Sequence, residues 1–326
     1  MNRAREQIRL LVLLLTIFYC NFSMAWNAAG HQLMAAITWN LLDSQEQDYW
    51  VDILKHHPRY LKDFKNKIPK YVKFNPKELN AWIFRQAAVW PDIARGIEKK
   101  TQEKYHHGSW HYINYPIYLD QKVDTRFLNR SSNFKGKLHN GLNIIQALKG
   151  NLQILSKQGA TKKQKAVALS WVLHLQGDLH QPLHTTALFS TNYFPNGDKG
   201  GNSIAIQGQG QIKNLHWYWD SRLNNSTKFK IIDLKAKKLI EKYNDIGTKN
   251  QSNNIHKALM NAHHLAKKYT YTPVLMTILK TAEAQNKPQP SIYISNQYDT
   301  QARKIAETQI IKAGYQSAHL LKALKN

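Results

Sequence analysis

The stretch WVLHLQGDLHQPLH, residues 171–184, decides how the rest of the chain is read. Ala166, Leu169, Trp171, Val172, Leu173 and Leu175 make an apolar body with no breaker before Gly177, which predicts a helix. His174 and Asp178 stand four residues apart. At that spacing two side chains share one helical face with Cβ atoms about 5–6 Å apart, within reach of one cation or of adjacent cations. Pro182 removes a backbone donor and turns the chain, so that His184 approaches the same place from another direction. Alone, the pattern is weak: in a chain with this His and Asp content roughly 0.6 HxxxD pairs arise by chance.

Working outward, the chain supplies company for it. NLHWYWDSRLN, residues 214–224, repeats the theme, with His216 and Asp220 four apart on a predicted helix. WNAAGHQLMAAITWNLL, residues 26–42, reads as a helix with Leu33, Ala36, Ile37 and Leu41 on one side and His31 near its start. AWIFRQAAVWPDIAR, residues 81–95, is an apolar helix ending in a polar triplet. There Asp92 and, one turn later, Arg95 present a carboxylate and a fixed guanidinium, either to a common ligand or to each other as a surface ion pair. SWHYINYP, residues 109–116, sets His111 beside Tyr112; with Trp110, Tyr115 and Tyr118 it makes either a core or a stacking surface for bases.

Between these motifs the sequence is plainer. Residues 43–80 predict an amphipathic helix and then an exposed basic excursion punctuated by Pro58, Pro69 and Pro76. Residues 120–137 read as loop and residues 138–156 as an amphipathic helix. The Gly- and Asn-rich run 195–214 switches from helical to alternating periodicity at 203–207, which predicts one short β-hairpin. Residues 233–326 predict two or three basic amphipathic helices with a polar connector at 285–296. The fold class expected is all-α, a mainly helical single domain with that one hairpin.

Residues 1–25 read as a cleaved signal peptide: Arg3, Arg5 and Arg9 precede an apolar run, and Ser23-Met24-Ala25 forms a small-x-small cleavage site. The expected product begins at Trp26 and is exported, to the periplasm or the extracellular space. The formal net charge is +25 over 326 residues, of which residues 1–25 carry little. Such a surplus points to a polyanionic partner, nucleic acid or an anionic surface. The single cysteine, Cys20, lies in the leader, so the core or a bound metal must hold the exported chain without disulfides. A Walker loop, a dinucleotide-binding glycine fingerprint and a nucleophile elbow are all missing, which excludes the chemistries they serve.

In order and chemical pattern WNAAGH, WPDIAR, SWHYIN, HLQGDLHQPLH, GGN and NLHWYWD resemble the zinc-dependent class I nucleases, the fungal, mung-bean and plant single-strand nucleases that are also 3′-nucleotidases. The resemblance extends to AGYQSAHLLKALKN at the end and covers nearly the whole of residues 26–326. It implies a helical domain, related to zinc phospholipase C, with three zinc ions at the bottom of a cleft. By matching positions, the amine and carbonyl of Trp26 with His31 hold one ion; Asp92, His111 and His174 hold a second; Asp178 bridges the two. His184, His216 and Asp220 hold the third. The family's chemistry implies catalytic roles for Asp92 and Arg95, a base-stacking role for Tyr112, and base-edge contacts for Asn114, Gly200 and Asn202. His180 matches no ligand position. The substrates implied are single-stranded DNA and RNA and 3′-nucleotides, cut at P–O3′ to leave 5′-phosphates. Two alternatives stay open: a zinc phospholipase C, and a basic zinc-stabilised protein that binds nucleic acid without cutting it.

Overall fold

The computed structural model describes residues 26–120, 136–223, 225–249 and 253–325. The predicted amino-terminal helix forms α1 (Ala28–Leu41), opened by Asn27, whose side chain accepts from the Gly30 amide at 3.0 Å. α2 (Ser44–Lys55) follows, with a reciprocal capping box between Asp43 and Glu46. α3 (Pro76–Ile93) has proline in its first turn, where the missing N–H has no intrahelical partner to lose. α4 (Ile144–Ser156) and α5 (Lys162–Leu179) both open on capping boxes, Asn143 with Gln146 and Thr161 with Gln164. Then come α6 (Leu215–Asp220), α7 (Phe229–Lys242), α8 (Ile255–Leu265), α9 (Pro273–Ala284) and α10 (Asn296–Lys325). The all-α expectation holds.

The helix that opened the sequence reading is the axis of the core. α5 packs on α2, α3 and α4, while α1 packs on α3, α7 and α10. From Ala168 to Leu179 every residue of α5 is buried, including Ser170, His174, Gln176 and Asp178. A helix buried on every side needs no polar face, so its sequence looks apolar rather than striped. A second, smaller core gathers Leu188, Phe194, Trp219, Tyr271, Leu279 and Ile305. The residues of interest sit where the two cores meet.

Extended structure is short and differs from the predicted hairpin. β1 (Tyr115–Tyr118) pairs in parallel with β2 (Thr186–Phe189), Tyr115 opposite Thr186. β3 (Ile206–Gln207) pairs in parallel with β4 (Ile292–Tyr293). Within the Gly-rich run only an isolated antiparallel bridge, Ala205 to Asn214, resembles a hairpin. The alternation at 203–207 marked a real strand, but its partner lies some 86 residues away because Ile206 and Ile292 both bury into the second core. Sequence alternation reports which face is buried and says nothing of the partner.

Two further expectations change. Residues 56–75 are not wholly exposed: Phe64 and Val72 enter the main core, and buried Asp63 takes a two-point ion pair from Arg59 (2.6 and 3.0 Å) and a hydrogen bond from Trp90 Nε1 at 3.0 Å. The lysines face water, as do Leu61, Tyr71 and Phe74. Residues 229–325 form four helices of eight residues or more among the described residues, since Pro273 starts a new helix where the pattern reads as continuous. The predicted leader and most of the predicted loop at 120–137 lie outside the described residues. Among the described residues, no helix is long and apolar enough to cross a membrane.

Candidate metal centre

Six elements deliver eight His and Asp side chains to one place. α1 brings His31; the last turn of α3 brings Asp92; α5 brings His174 and Asp178; α6 brings His216 and Asp220. His111 closes a short 3₁₀ turn and His184 another, started by Pro182. These last two are pinned together by the parallel ladder that runs into β1 and β2: the Ile113 amide donates to the His184 carbonyl at 2.8 Å, and the Tyr115 amide to Thr185 at 3.2 Å. The ligating atoms form three overlapping groups, His31 with His174 and Asp178, Asp92 with His111 and His174, and His184 with His216 and Asp220, each within 4.8 Å across. Every predicted His and Asp therefore falls into a cluster.

Asp178 is the hub. Its Oδ2 lies 3.0 Å from His111 Nδ1 and 3.2 Å from His174 Nε2, and its Oδ1 lies 3.3 Å from His31 Nε2. The His31 and His174 rings stack with centroids 3.8 Å apart. Gly177 makes that approach possible, because a Cβ there would stand 2.9 Å from His31 Nδ1.

Backbone carbonyls fix which ring nitrogen is free. His174 Nδ1 lies 2.8 Å from the Ala88 carbonyl, His184 Nδ1 2.6 Å from that of His111, and His216 Nδ1 2.6 Å from that of Gly200. A carbonyl can only accept, so each Nδ1 carries the proton and each Nε2 turns a lone pair to the cluster. Gly200 can hold its carbonyl there because it has φ +61°, and any Cβ would meet the Leu183 oxygen at 2.4 Å.

Whether these residues fit a metal is tested by the polar atoms they strand. Both nitrogens of His31, Nε2 of His111, His184 and His216, Oδ2 of Asp92 and Oδ1 of Asp178 are buried without a hydrogen-bond partner. Each stranded atom costs about 1–3 kcal/mol. So dense a group of buried lone pairs is what a divalent cation satisfies, and mixed imidazole and carboxylate donors suit zinc. The protonation states agree except at His174, where burial is outweighed by the Asp178 and Asp92 carboxylates, which raise it. Burial pushes His111 down to about 4 and His216 to about 3, which keeps both neutral and able to donate electron pairs. Burial opposes ionisation of Asp178, yet the His174 and His184 imidazoles hold its carboxyl well below the usual range. Asp220 goes the other way: burial raises it well above the usual range, only partly countered by a 2.7 Å hydrogen bond from Gln181 Nε2.

Three of the eight, His111, His184 and His216, line a cleft of ≈ 710 Å³. Tyr112, Asn114, Gly200 and Asn202 all line it, as does Arg95, whose guanidinium donates to Asp92 Oδ1 at 3.2 Å. Tyr112 is 41% exposed, an aromatic face left open to the cleft. Trp26 is fully buried; its indole Nε1 donates to the Gly177 carbonyl at 2.9 Å, and the Asn27 amide donates to the Asp220 carbonyl at 3.3 Å. The start of the described chain is thus held between the two HxxxD helices. The spacing of motifs did not reveal Gln181, nor Lys199 and Lys213, which line the cleft. It also missed buried Asp198, whose carboxylate accepts from the Leu188 and Gly201 amides at 2.9 Å each and from Tyr271 at 2.6 Å, and so fixes the loop that carries Gly200. An aspartate immediately before Lys-Gly-Gly was the available signal, since Asp commonly binds backbone amides in such turns.

Comparison with known proteins gives the same picture. The S1/P1 Nuclease family model matches residues 26–326. Endonuclease 1 of Arabidopsis thaliana is 26% identical over 222 residues, 67% of this chain and 61% of its own length. Endonuclease 5 of the same plant is 28% identical over 159 residues, 47% of this chain and 48% of its own. Nuclease S1 of Aspergillus oryzae is 39% identical over 56 residues, 17% of this chain and 16% of its own. The chain spans about three fifths or less of the length of these relatives. With the match covering all but the first 25 residues, the chain belongs to the S1/P1 nuclease family.

Proposed function

We propose that the protein is an exported, zinc-dependent phosphodiesterase that hydrolyses P–O3′ bonds of single-stranded DNA and RNA, leaving 5′-phosphates, and removes phosphate from 3′-nucleotides. The observation that carries this reading is the convergence of three overlapping His/Asp groups, rich in unpartnered buried donor atoms, whose His111, His184 and His216 line a cleft with one open aromatic wall. His31, His174, Asp178, Asp92 and His111 would hold two ions, and His184, His216 and Asp220 a third; the Trp26 amine and carbonyl complete the first set once residues 1–25 are removed. Bound zinc supplies a water of lowered pKa and positive charge opposite the phosphoryl oxygens.

The chain's own groups do the rest. Asp92 Oδ2 is buried without a hydrogen-bond partner while Arg95 holds Oδ1, so Asp92 accepts the proton from the attacking water. Arg95, with Lys199 and Lys213 on the cleft wall, neutralises the phosphate. Tyr112 stacks on one base, and Asn114, Asn202 and the Gly200 backbone hold its edge. Stacking requires a base free of its partner, which favours single strands. The small-x-small site directly before Trp26 supports export and the mature amino terminus.

The test is to incubate protein beginning at Trp26 with a single-stranded oligonucleotide, 3′-AMP and phosphatidylcholine, with metal counted on the same sample. We expect three zinc ions per chain, 5′-phosphorylated fragments and free phosphate. Lipid cleavage without nucleic-acid cleavage, or binding without turnover, overturns the reading. A version with one extra residue before Trp26 should bind less metal and turn over more slowly; unchanged activity refutes the amine ligand.

A further inference from the structure

The end of α5 that carries Asp178 also borders a second polar cavity, of ≈ 90 Å³, separate from the cleft. Its walls come from three helices and a turn: His180 at the C-terminal cap of α5, Asn254, Lys257 and Asn261 on α8, Lys312 on α10, and Lys249. Three ammonium groups line it and no carboxylate does. Neither Lys249 nor Lys257 forms an ion pair among the described residues, and Lys312 Nζ reaches only the neutral Asn261 Oδ1, at 3.2 Å. Burial and the neighbouring Lys257 push the Lys312 ammonium below its ordinary range, the mark of a cation in want of a counter-charge.

One further feature points inward at the same space. Asn254 caps the start of α8, accepting from the Lys257 amide at 2.9 Å, so the positive end of an 11-residue helix opens on the pocket. His180, 3% exposed, donates Nδ1 to the Gln176 carbonyl at 2.9 Å, so its Nε2 bears a lone pair and the ring closes one wall while the lysines supply the donors. The pocket is small, ≈ 90 Å³ against ≈ 710 Å³ for the cleft, a size suited to a compact anion.

We propose that this pocket is a binding site for a free tetrahedral oxyanion of the phosphate class, held by Lys249, Lys257 and Lys312 at the start of α8. The bound anion ties α5, α8 and α10 together behind the turn that presents Asp178. It needs neither the metal centre nor the catalytic reading given above.

The experiment uses the metal-loaded protein. Crystals soaked in tungstate, a heavy oxyanion of the same shape, should show an anomalous peak between Lys257, Lys312 and His180, apart from any peak in the cleft. Calorimetric titration with inorganic phosphate should resolve an event that weakens at least about tenfold in Lys257→Glu and in Lys312→Met, as expected when a charge-assisted hydrogen bond is removed. Lys257 is exposed, so Lys257→Glu should keep the wild-type circular dichroism spectrum and unchanged turnover of a single-stranded oligonucleotide. No peak in the pocket, or phosphate isotherms identical in wild type and both variants, overturns the proposal.

Discussion

The two HxxxD pairs share a spacing but differ in surroundings. His174 and Asp178 lie in the fully buried stretch, Ala168–Leu179, of an 18-residue helix; His216 and Asp220 span a helix of six residues at the junction of the two cores. Asp178 is surrounded by His31, His111, His174 and His184, and these hold it ionised. Asp220 has one imidazole at 3.4 Å and one amide, and burial favours its protonated form. The first pair is a ready-made anionic hub; the second becomes one only when a cation arrives. Equal spacing in sequence thus encodes geometry, while the charge state comes from neighbours distant in the chain.

The largest effect expected from breaking this asymmetry is on activity. Asp178→Asn removes the hub of two clusters and should lower turnover on a single-stranded oligonucleotide by about three orders of magnitude, the equivalent of several kcal/mol of charge stabilisation. Asp220→Asn touches one cluster only, and a loss of about a hundredfold is expected, with one ion fewer by metal analysis.

Metal-free stability sharpens the contrast, because the two substitutions should differ in sign. In urea denaturation of chelator-treated protein near neutral pH, Asp178→Asn should destabilise by about 3–5 kcal/mol by leaving its imidazoles unpaired. Asp220→Asn should be neutral or stabilising, since it removes a carboxylate that burial disfavours. The pH dependence follows. Asp178, with a depressed folded pKa, contributes stability that is present above the ordinary carboxylate range and is lost as pH falls through its folded value. Asp220, with a raised folded pKa, contributes stability that is present below about 3.9 and is lost as pH rises toward its folded value. Matching pH profiles for the two variants would erase the distinction.

Smaller effects are expected at the walls. Gly200→Ala imposes a left-handed backbone on a Cβ that meets the Leu183 oxygen, and should displace the carbonyl that orients His216. A loss of about tenfold in kcat/KM, equal to roughly 1–2 kcal/mol of backbone strain, would register it. Tyr112→Ala should raise KM for oligonucleotides by about tenfold with kcat little changed, because stacking contributes about 1–3 kcal/mol per base.

Much of this was legible in the chain. His and Asp at helical spacing beside Gly177 and Pro182 placed the buried α5, and the motifs around His31, His111, His184 and His216 named the residues that converge. What was not legible depended on partners far apart in sequence. Ile206 alternates as a strand does, but nothing local says that Ile292 completes it. Lysine density at 55–77 hid Phe64 and Val72, whose burial rests on α3 and the Arg59–Asp63 pair. Gln181 and the carbonyls of Ala88, His111 and Gly200 leave no residue-type signature, because a backbone acceptor is common to every residue.

Gly177 has one more consequence. An interior glycine weakens a helix by about 1 kcal/mol relative to alanine, and here it lets the rings of α1 and α5 touch face to face. The seam between two central helices is therefore made of imidazoles rather than of aliphatic side chains. Oil would hold such a seam shut unaided, whereas lone pairs crowded together need an ion between them. Melting temperature should accordingly track ion loading, making heat resistance a gauge of how completely the centre is filled.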